Sequence, residues 1–197
     1  MARRSDNTRE ELKRMAISAG LKLLDEGGLP ALGARKVTRE IGYTIGTLYQ
    51  IFDNYNDLIL HMRGVVLDDL QKLLRESVNN THSTHSNITS LAKAYLGFAQ
   101  KSYPRWHILF SQPDQPSDVL PEWYKEKLKA LFMVIEQALL PLLGKHIRHV
   151  QEEAKILWAG VHGICVLSVT QKLERVGSKP AEELIDRFLR NYICAIG

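Results

Sequence analysis

The amino-acid sequence predicts an all-α protein. Apolar residues recur at three- and four-residue intervals along most of the chain, which is the spacing of one face of an amphipathic helix. No stretch of useful length alternates between polar and apolar residues, as a half-buried strand would. The 197 residues are 45% hydrophobic and 24% charged, an ordinary composition for a globular protein with one or two domains.

The first predicted helix begins at a capping sequence. Thr8 is followed three residues later by Glu11, a pattern in which each side chain binds the backbone N–H of the other residue. Apolar residues then follow at helical spacing: Leu12, Met15, Ala16, Ala19 and Leu23. The Gly27–Gly28 pair predicts the end of this helix, because glycine readily adopts the backbone that closes a helix.

Two short helices are predicted next, with a tight turn between them. The first spans 34–41, and Gly42 ends it. Thr44 can cap the second, which runs to about Phe52 and turns Leu48 inward. A longer helix followed by two short ones matches a helix-turn-helix, whose second short helix enters the major groove of DNA.

The outward side of the second short helix carries side chains that can face a nucleic acid. These residues are Ile45, Gly46, Thr47, Tyr49 and Gln50. A glycine inside a helix lowers its stability, which is explained if the backbone must approach a phosphate or a base closely. An incidental glycine at this position stays open as an alternative.

The remainder of the chain is predicted to form a second helical domain. A long helix from about 56 to 77 precedes a polar loop over 78–87. Further helices are predicted at 88–103, 105–111, 122–143, 147–175 and 180–195. We therefore divide the chain into a helix-turn-helix domain over 1–55 and a helical effector-binding and dimerisation domain over 56–197.

The segment ARKVTREIGYTIGTLYQIFDNYNDLI resembles the DNA-binding segment of tetracycline-repressor (TetR) family regulators. The likeness covers about residues 8–60 in the order and lengths of the helices. It rests most on the Gly-Thr-Leu-Tyr run at 46–49, the aromatic Phe52 and the turn into a long helix. The resemblance implies a DNA-binding domain that works as part of a homodimer.

The resemblance also implies individual contacts with DNA. Arg35 falls where the family often places a base-reading side chain, and arginine suits guanine because its two-pronged donor matches O6 and N7. Thr47 and Tyr49 fall where the backbone or groove is touched, whereas Ile45 and Gln50 fall at positions that vary with the operator. The predicted DNA-binding set is Arg35, Thr44, Ile45, Gly46, Thr47, Tyr49, Gln50 and Tyr55. A solvated surface role for Arg35 and a packing role for Tyr49 stay open.

Three positions depart from the family pattern. Gly33 stands where many members have a threonine that caps the helix and contacts a phosphate. Tyr55 replaces a frequent lysine that meets a phosphate, and Ile51 replaces a common aromatic residue or histidine. These departures predict weaker phosphate anchoring with the same function.

Large aromatic residues are concentrated in the second predicted domain, where they can enclose an apolar cavity. YPRWHILFSQP and WAGVHGICVL resemble a subset of TetR-type regulators with a Trp…His-Gly signature, here Trp158, His162 and Gly163. Because Trp158 and His162 lie four residues apart, they share a helix face. The predicted ligand-binding set is Trp106, Phe110, Trp123, Trp158 and His162. Simple core packing by the aromatics and a structural role for His162 stay open.

The sequence speaks against several other classes of protein. It contains no P-loop and no G-x-G-x-x-G, G-x-S-x-G or H-E-x-x-H motif, so we expect no enzyme. Four histidines form two pairs without a third ligand, so we expect no metal or other cofactor: His82 with His85, and His146 with His149. Two distant cysteines and the absence of a signal peptide favour the cytoplasm, and the most apolar stretch, 156–169, is too short to span a membrane.

These observations together predict a homodimeric transcriptional regulator. The net charge of +4 permits an acidic partner such as DNA. We expect a repressor of a palindromic operator, released when a small apolar or aromatic effector binds the second domain and changes the spacing of the two DNA-reading heads. Two alternatives stay open: a DNA-binding regulator without an effector, and a helical ligand carrier.

The last two predicted helices, 147–175 and 180–195, are the most apolar and are expected to form the dimer. Two helices from each subunit can form a four-helix interface around a two-fold axis. The apolar residues expected there are Leu157, Val161, Leu184, Phe188, Leu189, Tyr192 and Ile193.

Overall fold

A computed structural model describes residues 7–79, 83–111, 120–144 and 147–196. Within these ranges the chain forms ten helices and no strand, which confirms the all-α prediction. The helices are α1 (Arg9–Ala31), α2 (Ala34–Ile41), α3 (Ile45–Ile51), α4 (Tyr55–Ser77), α5 (Thr84–Lys101), α6 (Tyr103–Ile108), α7 (Glu122–Leu143), α8 (Ile147–Val169), α9 (Lys172–Arg175) and α10 (Ala181–Ile196).

The predicted start of α1 and the predicted bounds of α2 and α3 are confirmed, whereas the predicted end of α1 at Gly27–Gly28 is wrong. Thr8 and Glu11 form both bonds of the capping box at the start of α1. The backbone leaves helical geometry at Gly27 and Gly28, although the helix resumes and runs to Ala31. Gly42 closes α2 with a φ of 75°, a left-handed backbone that favours glycine.

Several predicted boundaries in the remainder of the chain are wrong: the helix predicted at 105–111 is Tyr103–Ile108, and two further differences have a clear local cause. The predicted loop 78–87 is too long, because the hydroxyl of Ser83 accepts the N–H of Ser86 and starts α5 at Thr84. The first turn of α5 consists of polar residues that are also common in loops, which is why the sequence predicted a loop there. The predicted helix 147–175 is divided into α8 and α9, since Gln171 adopts a left-handed backbone with a φ of 56°.

The chain divides into two compact units, each with its own core. The first unit comprises the described residues of Met1–Val66 and Pro104–Gln115, and the second those of Leu67–Tyr103 and Pro116–Gly197. The largest fully buried side chains of the first are Leu24, Leu48, Phe52, Leu58, Met62 and Ile108. Those of the second are Leu70, Ile88, Leu96, Leu139, Ile185 and Leu189. Helix α4 contributes its first half to the first unit and its second half to the second.

No single helix in the described ranges has both the length and the apolar composition needed to cross a membrane. The pair α7 and α8 meets that criterion together, by length and composition alone, across a bend of 117°.

Candidate DNA-binding surface and apolar cavity

Helices α2 and α3 are anchored to the first unit by a few large apolar side chains. Val37 from α2 is 0% exposed, and Leu48 and Phe52 at α3 are each 1% exposed. Thr44 caps α3, because its hydroxyl accepts the backbone N–H of Thr47 at 3.3 Å. The prediction that Leu48 and Phe52 face inward is confirmed, so the opposite face of α3 is turned to solvent.

The start of α1 holds the far end of α3, a contact that sequence reasoning missed. Arg9 donates from Nη2 to the carbonyl oxygen of Ile51 at 3.2 Å. The ammonium of Lys13 lies 5.9 Å from the centre of the Phe52 ring, within the range of a cation–π contact. The last carbonyl groups of a helix have no hydrogen-bond donor inside the helix, and they carry its partial negative charge. The Arg9 guanidinium therefore both satisfies one of these carbonyls and complements the dipole of α3.

The turn that follows α3 is held by side-chain bonds to the backbone. The amide oxygen of Asn54 accepts the N–H of Asp57 at 3.0 Å, which caps the start of α4. The carboxylate of Asp57 in turn accepts the N–H of Asp53 at 3.2 Å. Helix α3 is therefore joined to α4 by a short, bonded turn.

The outward face of α3 presents large side chains to solvent. Ile45 is 40% exposed and Tyr49 is 46% exposed. Four further residues of the predicted DNA-binding set are exposed: Arg35, Thr44, Gly46 and Gln50. Thr47 is half-buried, and its hydroxyl lies 3.1 Å from that of Thr44. We call the exposed residues of this set the α2–α3 surface: Arg35 on α2, and Thr44, Ile45, Gly46, Tyr49 and Gln50 at α3.

The three positions that depart from the family pattern, Gly33, Ile51 and Tyr55, differ in their surroundings. Gly33 precedes α2 in an extended backbone and provides no side-chain cap. A Cβ atom added at Gly33 meets nothing within 4 Å, so larger residues fit there. Tyr55 is half-buried, and burial raises the pKa of its hydroxyl, as does the neighbouring Tyr49. Ile51 is buried and supports the core instead of facing solvent.

Helix α6 is part of the first unit and is bound there by two arginines. Arg105 forms a two-pronged ion pair with Asp25 of α1, at 2.9 Å and 2.8 Å. The buried Arg63 of α4 donates from Nε to the carbonyl oxygen of Ile108 at 2.9 Å. The aromatic residues of this segment therefore belong to the same compact unit as α1 to α3.

An apolar cavity of about 40 Å³ lies inside the second unit. Its walls come from α4, α5, α7 and α8. The lining residues are Leu70, Leu74, Ile88, Leu91, Ala92, Tyr95, Leu131, Phe132, Ile135, Leu157, Trp158 and Val161. None of these described side chains is an aspartate, glutamate, lysine, arginine or histidine, so the cavity suits uncharged atoms.

Tyr95, a lining residue on α5, is paired with His162 on α8. The Tyr95 hydroxyl lies 2.8 Å from Nδ1 of His162. The His162 ring stacks on Trp158 with centroids 5.0 Å apart and planes 21° apart, which confirms that the two share a helix face. Trp158 also meets Phe132 edge-on at 5.6 Å. Burial lowers the pKa of His162, which favours a neutral imidazole at neutral pH.

The structure separates the predicted ligand-binding set into three places. Trp158 lines the cavity, and His162 is hydrogen-bonded to Tyr95 but is outside the lining. Trp123 packs edge-on against Tyr124, with ring centres 5.5 Å apart, and lies outside the lining. Trp106 and Phe110 pack on each other at 5.3 Å in the first unit. Ligand binding by any of them stays a prediction.

Sequence reasoning missed the importance of Tyr95 and Phe132 for this cavity. Both lie on helices other than α8, and Tyr95 is 67 residues from His162. Their only sequence signal is that they belong to the aromatic residues of the second domain.

The outer face of α8 differs from the face predicted for the dimer. Leu157, Val161 and Leu189 are at most 4% exposed, so they belong to the core of the subunit itself. Helix α8 instead turns another set of small and apolar residues outward. Ile156 is 52% exposed and Leu167 is 41% exposed, with Ala159 and Gly163 at helical spacing between them.

The two glycines of α8 have different surroundings. A Cβ atom at Gly160 would overlap the Phe188 ring, so glycine allows α8 and α10 to approach within the subunit. A Cβ atom at Gly163 meets nothing within 4 Å. Packing inside the subunit therefore requires glycine at the first position only.

No group of three or more histidine, cysteine, aspartate or glutamate side chains in the described ranges is placed to hold a metal ion. His82 and His146 of the two predicted histidine pairs lie outside the described residues.

Comparisons with known proteins identify the architecture. Residues 88–192, more than half of the chain, match the family model described as "Tetracyclin repressor-like, C-terminal domain". No curated protein matches the sequence. Among solved structures, the chain is similar to a protein with unknown function from Rhodococcus sp. RHA1, with 16% identity and a TM-score of 0.76 over 99% of both chains.

Two further solved structures are similar over nearly the whole chain. A TetR-family transcriptional regulator from Streptomyces coelicolor has 17% identity and a TM-score of 0.66, over 95% of this chain and 100% of that chain. The transcriptional regulator FadR from Bacillus subtilis, in complex with stearoyl-CoA, has 14% identity and a TM-score of 0.63, over 93% and 99%. At such identities the likeness establishes the fold.

Proposed function

The chain belongs to the tetracycline-repressor family of transcriptional regulators, which are not enzymes, and from that premise we propose a specific mode of action. The protein is a cytoplasmic repressor that binds a palindromic DNA operator as a homodimer. A small apolar effector enters the cavity of the second unit and releases the operator.

The observation that carries this proposal is the exposed face of an otherwise firmly held short helix. Ile45 and Tyr49 stand 40% and 46% exposed, although α3 is anchored by Leu48 and Phe52 at 1% each. Large exposed side chains on a rigid element are typical of a recognition surface. A helix of this kind fits the major groove, where Tyr49 and Gln50 can reach base edges and Arg35 can pair with guanine.

A homodimer explains how so short a helix achieves specific binding. Two copies of α3 related by a two-fold axis read two half-sites about one helical turn of DNA apart, or a multiple of that distance. The outward stripe of α8, from Ile156 to Leu167, supplies an apolar surface for that axis. The second helix at the interface is α10, as the sequence predicted.

The effector proposal rests on the cavity and on the course of α4. This helix begins at the bonded turn after α3, and its second half supplies Leu70 and Leu74 to the cavity wall. A ligand that displaces these side chains acts on the same helix that begins at the turn after α3. Its differential affinity for the DNA-bound and released states sets how far the equilibrium shifts.

The size of the cavity favours a second candidate, a regulator without an effector. A cavity of about 150 Å³ holds benzene, whereas this cavity is about 40 Å³. In this alternative, the aromatic residues simply complete the core. In the effector proposal, the half-buried rings of Phe132 and Trp158 move to admit the ligand.

The test is a selection of bound fragments from a random DNA pool, repeated with mixtures of apolar metabolites. The proposal predicts that the selected DNA contains an inverted repeat and that at least one mixture lowers its recovery. Recovery that no mixture changes supports the regulator without an effector. A failure to select any sequence contradicts both proposals and favours a ligand carrier.

A further inference from the structure

We infer that the start of α1 sets the orientation of α3 and thereby the base specificity of the protein, with Arg9 and the Asn7–Tyr43 pair as positioning residues. The inference rests on the proposed function, because it concerns the helix that is proposed to read DNA. It goes beyond that proposal by assigning part of the specificity to residues outside the α2–α3 surface, which act through α3 and not on a base.

The core holds the second half of α3 more firmly than the first. Leu48, Ile51 and the adjoining Phe52 are at most 6% exposed. In the first turn, Ile45 is 40% exposed and Gly46 is exposed as well. The N-terminal residues of a recognition helix are the ones that contact base edges. The half of α3 that is proposed to read bases is therefore the half that the core holds less firmly.

Two hydrogen bonds from the start of α1 reach the two ends of α3. Arg9 donates from Nη2 to the carbonyl oxygen of Ile51, the last residue of α3, at 3.2 Å. Asn7 donates from Nδ2 to the hydroxyl of Tyr43 at 3.0 Å, and Tyr43 directly precedes Thr44, the N-cap of α3. A helix of seven residues is about 10 Å long. Bonds near both of its ends therefore restrict its tilt as well as its position.

The start of α1 is itself firmly held. Thr8 lies between the two donors, and its backbone N–H donates to the carboxylate of Glu11 at 2.6 Å. Its hydroxyl accepts the N–H of Glu11 at 3.2 Å, which completes the capping box. Further along the helix, Ala16 and Leu24 are 0% exposed, so α1 is packed into the core of the first unit. The two bonds thus connect α3 to a fixed element.

The orientation of α3 matters because base contacts depend on geometry. A good two-pronged base contact gives about 5- to 150-fold discrimination against the wrong base. Functional side chains must be held within about 0.5 Å and 10–20° of the productive geometry. Contacts with phosphates carry no sequence information and tolerate such displacements better. Loss of a bond that orients α3 should therefore lower the preference for the operator more than the general attraction to DNA.

The experiment measures the specificity ratio of Arg9→Met in the full chain. This ratio is the affinity for the selected operator divided by the affinity for a duplex with one changed base pair in each half-site. Fluorescence anisotropy at several salt concentrations gives both affinities. We expect the ratio to fall about tenfold, part of the discrimination that one base contact in each half-site provides. Arg9→Lys, which retains the charge and N–H donors, should restore part of the ratio.

Arg14→Met is the matched control. Arg14 is an exposed arginine of the same helix, and its charge acts on Glu11 of α1. Both variants lose one positive charge, so their affinities should depend on salt with the same slope, while the ratio falls in Arg9→Met alone. A general loss of stability lowers the active fraction and changes both affinities alike, so the ratio separates positioning from a merely structural role.

A double-mutant cycle tests the second bond. Asn7→Ala and Tyr43→Phe should each lower the ratio by about two- to threefold, the contribution of one exposed neutral hydrogen bond. The double variant should lose no more than either single variant, because both substitutions break the same bond. Additive losses would overturn the assignment of this pair.

A different result for Arg9→Met would overturn the inference as a whole. If Arg9 contacts a phosphate instead, the ratio stays at the wild-type value and the salt slope falls by about one unit relative to Arg14→Met. An unchanged ratio and an unchanged slope would likewise show that Arg9 does not orient α3. In both cases the wild-type protein still selects an operator, so the proposed function stands. If the wild type selects no DNA, the proposed function fails together with the inference.

Discussion

The α2–α3 surface and the cavity of the second unit differ in the exposure of their side chains. The α2–α3 surface exposes the side chains that we propose to bind DNA, and α3 beneath them is held by Leu48 and Phe52 and by the bond from Arg9 to Ile51. The cavity is lined largely by side chains of the core of the second unit. Substitutions on the exposed α2–α3 surface should therefore alter DNA binding with little effect on folding. Substitutions of the largely buried cavity lining should alter both ligand binding and folding stability.

The largest expected effect distinguishes the core of the second unit from its outer face. Leu189 is 0% exposed, so Leu189→Glu buries an uncompensated charge and should cost roughly 3–5 kcal/mol of stability. Ile156 is 52% exposed, so Ile156→Glu should leave the subunit folded and produce monomers. Circular dichroism melting curves and sedimentation velocity check both variants. A folded, monomeric Leu189→Glu variant would show that Leu189 lies in the dimer interface, as the sequence predicted. A fully dimeric Ile156→Glu variant would show that the outer face of α8 is not part of the interface.

The next effect concerns the surface of the first unit. Arg35→Ala should weaken binding of the selected operator by roughly 1–3 kcal/mol and relax the base preference at one position in each half-site. Because Arg35 is exposed, the melting temperature should stay within experimental error. Fluorescence anisotropy measures the affinity, and Arg148→Ala, an exposed arginine of α8, is the matched control. Wild-type affinity in Arg35→Ala would make this residue an ordinary solvated arginine.

The two glycines of α8 provide a matched pair within the second unit. Gly160→Ala should destabilise the subunit by about 1–3 kcal/mol, because its methyl group overlaps the Phe188 ring. Gly163→Ala should stabilise the subunit by roughly 0.5–1 kcal/mol, since alanine favours a helix and space is available. If Gly163 faces the partner, its alanine variant should also dimerise more weakly. Chemical denaturation and sedimentation equilibrium separate the two effects, and equal stabilities of the two variants would contradict this assignment.

The smallest expected effect is a gain in the first unit. Gly33→Thr should cap α2 and raise stability by a few tenths of a kcal/mol. If the family's phosphate contact is thereby restored, operator binding should tighten, and its dependence on salt should become steeper by about one unit of logarithmic slope. Anisotropy titrations at several salt concentrations measure this slope. Gly97→Thr, at a glycine of α5 that also has open space, controls for a general effect of the added side chain.

The sequence predicted the first unit in more detail than the second because its signals are local. The Thr8–Glu11 box, the left-handed Gly42 and the Thr44 cap each involve residues at most three positions apart, and all three are present. The stack of Trp158 on His162 follows from a four-residue spacing in the same way. Even Ser83 was a local signal, obscured by the polar residues around it.

The features that sequence reasoning missed depend on contacts between distant residues. Arg9 meets Ile51 across 42 positions, and Tyr95 meets His162 across 67. No periodicity connects such pairs, since the fold alone brings them together. The same limitation explains the dimer prediction: an apolar pattern on α8 and α10 does not reveal whether Leu157 or Ile156 faces the interior of the subunit.

The most direct test of the central proposal is a change of DNA specificity through α3. Gln50 is exposed on the α2–α3 surface, at a position that the family resemblance associates with operator choice. The random-pool selection is repeated with Gln50→Arg and compared with wild type. The proposal predicts that both half-sites of the inverted repeat change at the same symmetric position, toward guanine, because arginine pairs with its O6 and N7 atoms. An unchanged consensus, or a change confined to one half-site, would contradict the account of α3 as the reading helix of a two-fold dimer.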